Sequence, residues 1–292
     1  MIPAKQKPID TLIIDGAYLC WRSFHATPPL LSKSGIPTGA IHGFINSIRS
    51  ALKETKANEC IIAWEGGTGG RDQIIPGYKQ DRIALPSNLG QQMQKIRTLS
   101  ELMGWPVIRV EGLEADDVIY SIVLQNQTKV KAIFTTDKDI IALADETTMI
   151  YAREKGKSIY YTKEDYAEKW GVSPQYIPAV LALCGDQIDC IPGVSGIGKK
   201  TATELVRQYF TVEAIIQAAD QGKLKPKVAN AIITQKENLL ASQKAIQLIQ
   251  VKIEPPDDLK NLDEAIKQLE ELDMVSTAKA LKQKTDEQTQ LL

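Results

Sequence analysis

Nine carboxylates in five short clusters are the residues of this 292-residue chain whose spacing could do chemistry. Asp15 closes an apolar run, TLIID, and Glu65 follows a second, CIIAW. Glu114, Asp116 and Asp117 lie in EGLEADD, just after VIRV, and Asp137 and Asp139 lie in AIFTTDKD. Asp186 and Asp189 lie in GDQIDC, immediately ahead of a glycine-studded stretch, Gly193–Gly198, that ends in Lys199 and Lys200. Singly, each acid has an ordinary explanation as a helix cap, a turn residue or a first-turn partner of a helix dipole. Their recurrence after four successive apolar runs does not. Carboxylates gathered in one crevice repel one another and resist ionisation unless cations neutralise them. An oxygen-only donor set, with no Cys or His, points to Mg²⁺, with Mn²⁺ as a substitute, rather than to zinc. Two such ions roughly 4 Å apart suit phosphodiester cleavage.

The elements that must position these acids are legible as patterns. Residues 11–15, 60–64, 107–110 and 132–137 are short apolar runs that read as buried strands, and 149–152 with 158–161 read as a closing hairpin. Helical patterns fall at 39–55, 87–103 and 114–126 between them. Strand–helix alternation predicts an α/β domain with a mostly parallel sheet and flanking helices. The carboxyl ends of parallel strands share one edge, where open α/β sheets bind ligands, so the acids are expected to converge there. After Thr162 only helical patterns remain, at 163–170, 174–183, 198–209, 211–219, 226–234, 235–250 and 258–284, with Pro255-Pro256 separating the last two. The chain is therefore divided into an α/β part, 1–165, and a helical part, 166–292.

Two basic motifs accompany the acids. In GGRDQIIPGYKQDR, Arg71, Lys79 and Arg82 are interleaved with Tyr78. Cations for phosphate and a ring for base stacking suit a single strand, although a solvated loop has the same composition. In GVSGIGKK, Gly193, Gly196 and Gly198 precede a helix that begins near Lys199. The spacing is not that of a P-loop. It fits a helix-hairpin-helix turn that holds a DNA backbone without reading sequence, or a plain connector that needs left-handed residues.

Bulk composition neither demands nor excludes a nucleic-acid partner. The net charge is −1, but residues 193–252 hold nine Lys or Arg against four Asp or Glu, and residues 253–292 hold five against ten. The four cysteines, Cys20, Cys60, Cys184 and Cys190, form no C-x-x-C pair and read as reduced thiols of a cytoplasmic protein. The polar start does not read as a signal peptide, and no apolar run reads as long enough to span a membrane.

In this order and spacing the motifs resemble the 5′ nucleases. This flap endonuclease and 5′→3′ exonuclease family includes the N-terminal nuclease domain of bacterial DNA polymerase I and free-standing phage enzymes. The resemblance runs through LIIDGAYLCWRSFHA, GGRDQIIPGYKQDR, VEGLEADD, TTDKD and GDQIDCIPGVSGIGKKTA, within residues 10–210. It implies a PIN-like nuclease core and a helical arch over about 71–99 that admits a 5′-ended single strand. It further implies a C-terminal helical domain whose glycine turn holds the duplex, with K⁺ bound there in relatives. The expected reaction is two-metal hydrolysis of DNA near a 5′ end or flap, in replication or repair, by a monomer with no polymerase domain attached. By the same resemblance, Asp15, Glu65, Glu114, Asp116, Asp117, Asp137, Asp139, Asp186 and Asp189 are metal residues. Arg22, Arg71, Lys79 and Arg82 act on the scissile region, and Tyr78, Gly193, Gly196, Gly198, Lys199 and Lys200 contact DNA. RNA primer–DNA hybrids are a further expected substrate.

One departure stands out: Glu65 replaces the Asp usual after the second strand, on a loop one residue shorter. It leaves open a DNA-binding protein with a decayed site, and a metal-dependent ribonuclease is the other alternative. The tail, Gln288-Thr289-Gln290-Leu291-Leu292, resembles the short peptides by which bacterial replication proteins dock on a sliding clamp, or is simply a frayed end.

Overall fold

The computed structural model of the chain describes residues 8–254 and 257–289, so the clamp-like tail beyond Thr289 lies outside the described residues. The chain begins β1 (Thr11–Asp15), α1 (Gly16–Ala26), α2 (Gly39–Thr55), β2 (Glu59–Trp64), α3 (Arg71–Ile74), α4 (Ser87–Leu102) and β3 (Val107–Arg109). It continues α5 (Ala115–Gln125), β4 (Lys131–Phe134), β5 (Thr148–Glu154), β6 (Lys157–Tyr161), α6 (Lys163–Trp170) and α7 (Ile177–Cys184). Helices α8 (Lys199–Tyr209), α9 (Val212–Asp220), α10 (Pro226–Thr234), α11 (Lys236–Ile246), α12 (Leu262–Glu271) and α13 (Val275–Thr289) complete it.

The six strands form one sheet in the order β3-β2-β1-β4-β5-β6. All neighbours are parallel except the final hairpin, β5 with β6. The central strand, TLIID, is buried throughout, as a strand covered on both faces must be. Its alternate residues feed two cores. Ile13, Ala63, Ile133 and Ile150 face α5 and the helices α6–α11. Leu12, Ile14, Ile62 and Phe134 face α1, α2, α4 and, from the far end of the chain, α12 and α13. The register pairs Asp15 with Ala63 and Ile14 with Phe134, so the ends of β1, β2 and β4 are level along one edge.

Helix α1 is absent from the pattern-based reading above, because GAYLCWRSFHA spreads its large residues around the helix. It starts where the chain must turn closely past β2: a Cβ on Gly16 would lie 2.5 Å from the Trp64 ring and 2.8 Å from the Ala63 carbonyl oxygen. The segment expected as a helical arch over 71–99 differs more. It is helical only at its ends, α3 and α4, and residues 75–86 between them are turns and coil. Pro76, Gly77 and Pro86 interrupt any helical run there. Helix α4 is packed against the sheet layer through Leu89, Ile96 and Leu99. The pattern at 258–284 divides into α12 and α13 at Asp273, whose φ is +57°. Among the described residues, no helix is long and apolar enough to cross a membrane.

Candidate active site

The acids meet at the carboxyl edge of the sheet. Asp15 ends β1 and caps α1: one oxygen accepts the Tyr18 N–H at 3.0 Å and the other the Thr135 hydroxyl at 3.0 Å. Asp116 stands in the first turn of α5. Asp137 and Asp139 sit just past β4, where Asp137 accepts the Asp139 N–H at 3.0 Å and so fixes the turn. Asp186 and Asp189 come from the loop between α7 and α8, closed by paired backbone hydrogen bonds of 2.8 Å between Asp186 and Ile191. Carboxylate oxygens of Asp116, Asp137 and Asp139 lie within 4.8 Å of one another, as do those of Asp139, Asp186 and Asp189. Asp139 belongs to both sets, so the two groups adjoin.

Crowding shows in the acidities. Burial pushes Asp15 up to about 7, with the charges of Asp137 and Glu65 adding to it and the bonds from Tyr18 and Thr135 opposing it. Burial, then Asp137, raises Asp139 to about 7. Asp116 is raised well above the carboxylate range by burial and by Asp137, Asp15 and Asp139, with only Lys79 acting the other way.

Glu114, Asp117, Asp186 and Asp189 are each matched by a cation. Lys79, in a left-handed backbone conformation (φ +58°), donates to Glu114 at 2.6 Å, and the Tyr78 hydroxyl donates to the other Glu114 oxygen at 3.2 Å. Arg82 reaches Asp189 at 2.7 Å, and Lys138 pairs with Asp186. Asp116 and Asp139 are different: among the described residues neither carboxylate has a hydrogen bond or ion pair from the protein. A desolvated carboxylate among three others, with no partner of its own, fits a divalent cation, and the all-oxygen donor set suits a hard one.

Several expected site residues lie outside these two carboxylate sets. Glu65 is exposed, and its carboxylate accepts the Ala115 N–H at 3.1 Å, at the start of α5. Arg22 donates to the Arg153 carbonyl at 3.3 Å, toward the β5–β6 hairpin. Asp117 and Arg71 form a buried bidentate pair of 2.7 and 2.8 Å. Lys138 was missed, though its position between two acids in TTDKD signals it. Thr135, which orients Asp15, has no comparable signal.

The glycine stretch is a tight turn between α7 and α8. Gly193 and Gly196 have φ of +61° and +89°, while Gly198 caps α8 with φ −85°. A Cβ on Gly193 would meet the Gly185 nitrogen at 2.3 Å, so the turn closes directly on the Asp186 loop. Val194 and Ile197 are buried beneath it. Two α11-side residues hold it: the Ser242 hydroxyl accepts the Gly193 N–H at 3.1 Å, and Gln235 accepts from Ser195 N–H at 2.8 Å and donates to its carbonyl at 3.2 Å. Lys200 is exposed, and the Lys199 ammonium lies 3.6 Å over the Trp170 ring.

Comparison with known families decides the relationship. Residues 10–171 match the 5′-3′ exonuclease N-terminal resolvase-like domain, and residues 172–270 match the 5′-3′ exonuclease C-terminal SAM fold. The chain belongs to the 5′-3′ exonuclease family. A 5′-3′ exonuclease of Aquifex aeolicus is 34% identical over 281 residues, covering 91% of this chain and 93% of the relative. The thermostable DNA polymerase I of Thermus aquaticus is 31% identical over 83% of this chain, which spans only 29% of that protein. Among solved structures, the T5 5′-exonuclease with bound zinc superposes with a TM-score of 0.68 at 22% identity, over 94% of this chain and 98% of that one. Flap endonuclease-1 from Methanococcus jannaschii gives 0.61 at 17% identity, over 89% and 85%. These two establish a shared fold: the mostly parallel sheet with flanking helices and the helical C-terminal part.

Proposed function

We propose that this member of the 5′-3′ exonuclease family is a Mg²⁺-dependent nuclease that hydrolyses DNA phosphodiesters beside a 5′ end or flap. The observation that supports it is the pair of adjoining carboxylate sets that share Asp139 at the strand edge, next to the basic segment 79–82. Asp15, Asp116, Asp137 and Asp139 would hold one ion, and Asp139, Asp186 and Asp189 the other. When bound, such ions polarise the phosphate and activate water. Lys79 and Arg82 border the acids and are placed to hold the scissile phosphate and stabilise charge that builds on it. Tyr78 lies beside them as a ring against which a base can stack. The α7–α8 glycine turn, a few residues from Asp189, would hold duplex backbone through Lys200 and the N–H groups that open α8.

The direct test is cleavage of a 5′-flap duplex, a blunt duplex, an RNA–DNA hybrid and plain RNA, each with Mg²⁺ and with chelator. Metal-dependent cutting of the flap is expected, with plain RNA left intact. Preference for plain RNA would favour a ribonuclease, and binding without cutting in Mg²⁺ or Mn²⁺ would favour a decayed site.

A second expectation concerns the turn. Lys199→Ala with Lys200→Ala should weaken duplex binding and lower the slope of log affinity against log salt by about 0.9 for each phosphate left without its lysine. Lys199 is held over Trp170, so most of the weakening is assigned to Lys200, which a salt titration of the single variants will show.

A further inference from the structure

We propose that Arg71 and Asp117 are positioning residues that lock the metal-binding helix to the duplex-holding half of the molecule, and bind neither phosphate nor metal. The inference rests on the nuclease reading above and concerns what sets the position of the cut.

Both groups are saturated. A carboxylate has about four acceptor sites. On Asp117, one oxygen accepts from Arg71 Nη2 at 2.7 Å and the Ile249 N–H at 2.8 Å. The other accepts from Arg71 Nη1 at 2.8 Å and the Glu114 N–H at 3.2 Å. A guanidinium has five donors. Arg71 spends two on Asp117 and the others on the carbonyls of Ala245 at 2.7 Å, Gln247 at 3.0 Å and Thr68 at 3.4 Å. The side chains are 3% and 0% exposed. No acceptor site is left for a cation on Asp117, and no donor for a phosphate on Arg71.

The pair is one end of a longer fastening. Residues 247–253 leave α11 as an extended strap along α5. Asp117, Ser121 and Gln125, four residues apart on α5, accept the N–H groups of Ile249, Val251 and Ile253 at 2.8, 3.0 and 2.8 Å. Gln125 also donates to the Ile253 carbonyl at 3.1 Å. Four helical residues advance about 6 Å and two extended residues about 6.6 Å, so a helix face can serve an extended chain as a strand edge would. Helix α5 carries Asp116 and is capped by Glu114. The strap continues from α11, whose end of the chain pins the glycine turn through Gln235 and Ser242. The fastening therefore fixes the separation between the acids and the duplex grip.

Three variants test this: Asp117→Asn, Arg71→Lys and the double variant Ser121→Ala with Gln125→Ala. The last removes only strap contacts and keeps the assignment testable if the buried pair proves essential for folding. Mn²⁺ binding without DNA is measured by titration, and cut position is mapped on a 5′-flap duplex. Mn²⁺ affinity is expected to fall less in all three than in Asp116→Asn, where loss of a ligand should weaken it about tenfold or more. Cutting is expected to spread to neighbouring phosphodiesters in the variants. A fall of Mn²⁺ affinity in Asp117→Asn as large as in Asp116→Asn would overturn the proposal, as would a single unshifted cut site in the double variant. The Mn²⁺ arm stands even if the wild-type chain fails to cut flaps, which separates failure of this inference from failure of the nuclease reading.

Discussion

Asp116→Asn is expected to lower the single-turnover rate of cleavage about a thousandfold while leaving DNA affinity nearly unchanged. The carboxylate has an oxygen within 4.8 Å of those of Asp137 and Asp139 and, among the described residues, forms no ion pair of its own. On the proposed reading its charge serves an external cation. Asn keeps the size of the side chain and removes the charge, so the metal is held more weakly and further from its working position. A bound ion contributes several kcal/mol to stabilising charge in a phosphoryl transition state, and about 4 kcal/mol corresponds to ~10³ in rate. DNA affinity should survive because the groups proposed to hold backbone, Lys200 and the start of α8 beyond the Gly193–Gly198 turn, belong to another part of the chain. Rapid-quench cleavage in saturating Mg²⁺, beside anisotropy titration of labelled flap DNA with chelator, separates the two quantities. A rate within tenfold of the parent would remove Asp116 from the metal site. The same change on Asp117 is expected to act on cut position instead, so adjacent acids on one helix should give qualitatively different defects.

That contrast marks the limit of what the residues disclose in one dimension. The acids were legible because each follows a buried apolar run, and a parallel sheet brings the carboxyl ends of its strands to one edge. The core strands were legible for the same reason: TLIID and CIIAW have too many consecutive apolar residues for an exposed element. Partner choice was not legible. Asp116 and Asp117 are neighbours of one type, yet one faces the cluster and the other turns 100° around the helix toward Arg71, 46 residues earlier. Arg71, Lys79 and Arg82 look equivalent as basic residues of one motif, but burial divides them: Arg71 is enclosed, while Arg82 stays half exposed beside Asp189. The expected arch reflected a resemblance rather than local sequence, since Pro76, Gly77 and Pro86 oppose a continuous helix. The strap escaped notice because its backbone bonds to side chains of α5 and leaves no strand-like alternation.

Stripped of divalent metal, the protein is expected to lose stability as pH rises from 5.5 to 8, and to regain it on adding Mg²⁺ or Mn²⁺. Asp15 is pushed from 3.8 up to about 7 by burial, and Asp139 moves in the same direction. A folded-state pKa above the unfolded value means that the native state binds the proton more tightly. That contribution is complete below the unfolded pKa, near 4, and is lost as pH passes through about 7. For Asp15 the full span is about 4 kcal/mol, of which about 2 kcal/mol falls between pH 5.5 and 8. Asp139 and Asp116 add in the same sense, and because these acids repel one another they titrate as a set rather than singly. A cation that binds only the folded, deprotonated cluster stabilises by mass action and competes with those protons. The rise in Tm on adding saturating metal should therefore be several degrees larger at pH 8 than at pH 5.5, in thermal unfolding followed by circular dichroism. A metal-free Tm that is flat or rises over this interval, with a metal increment independent of pH, would show that the acids are not crowded in the folded protein. The convergence on which the nuclease reading depends would then be lost with it.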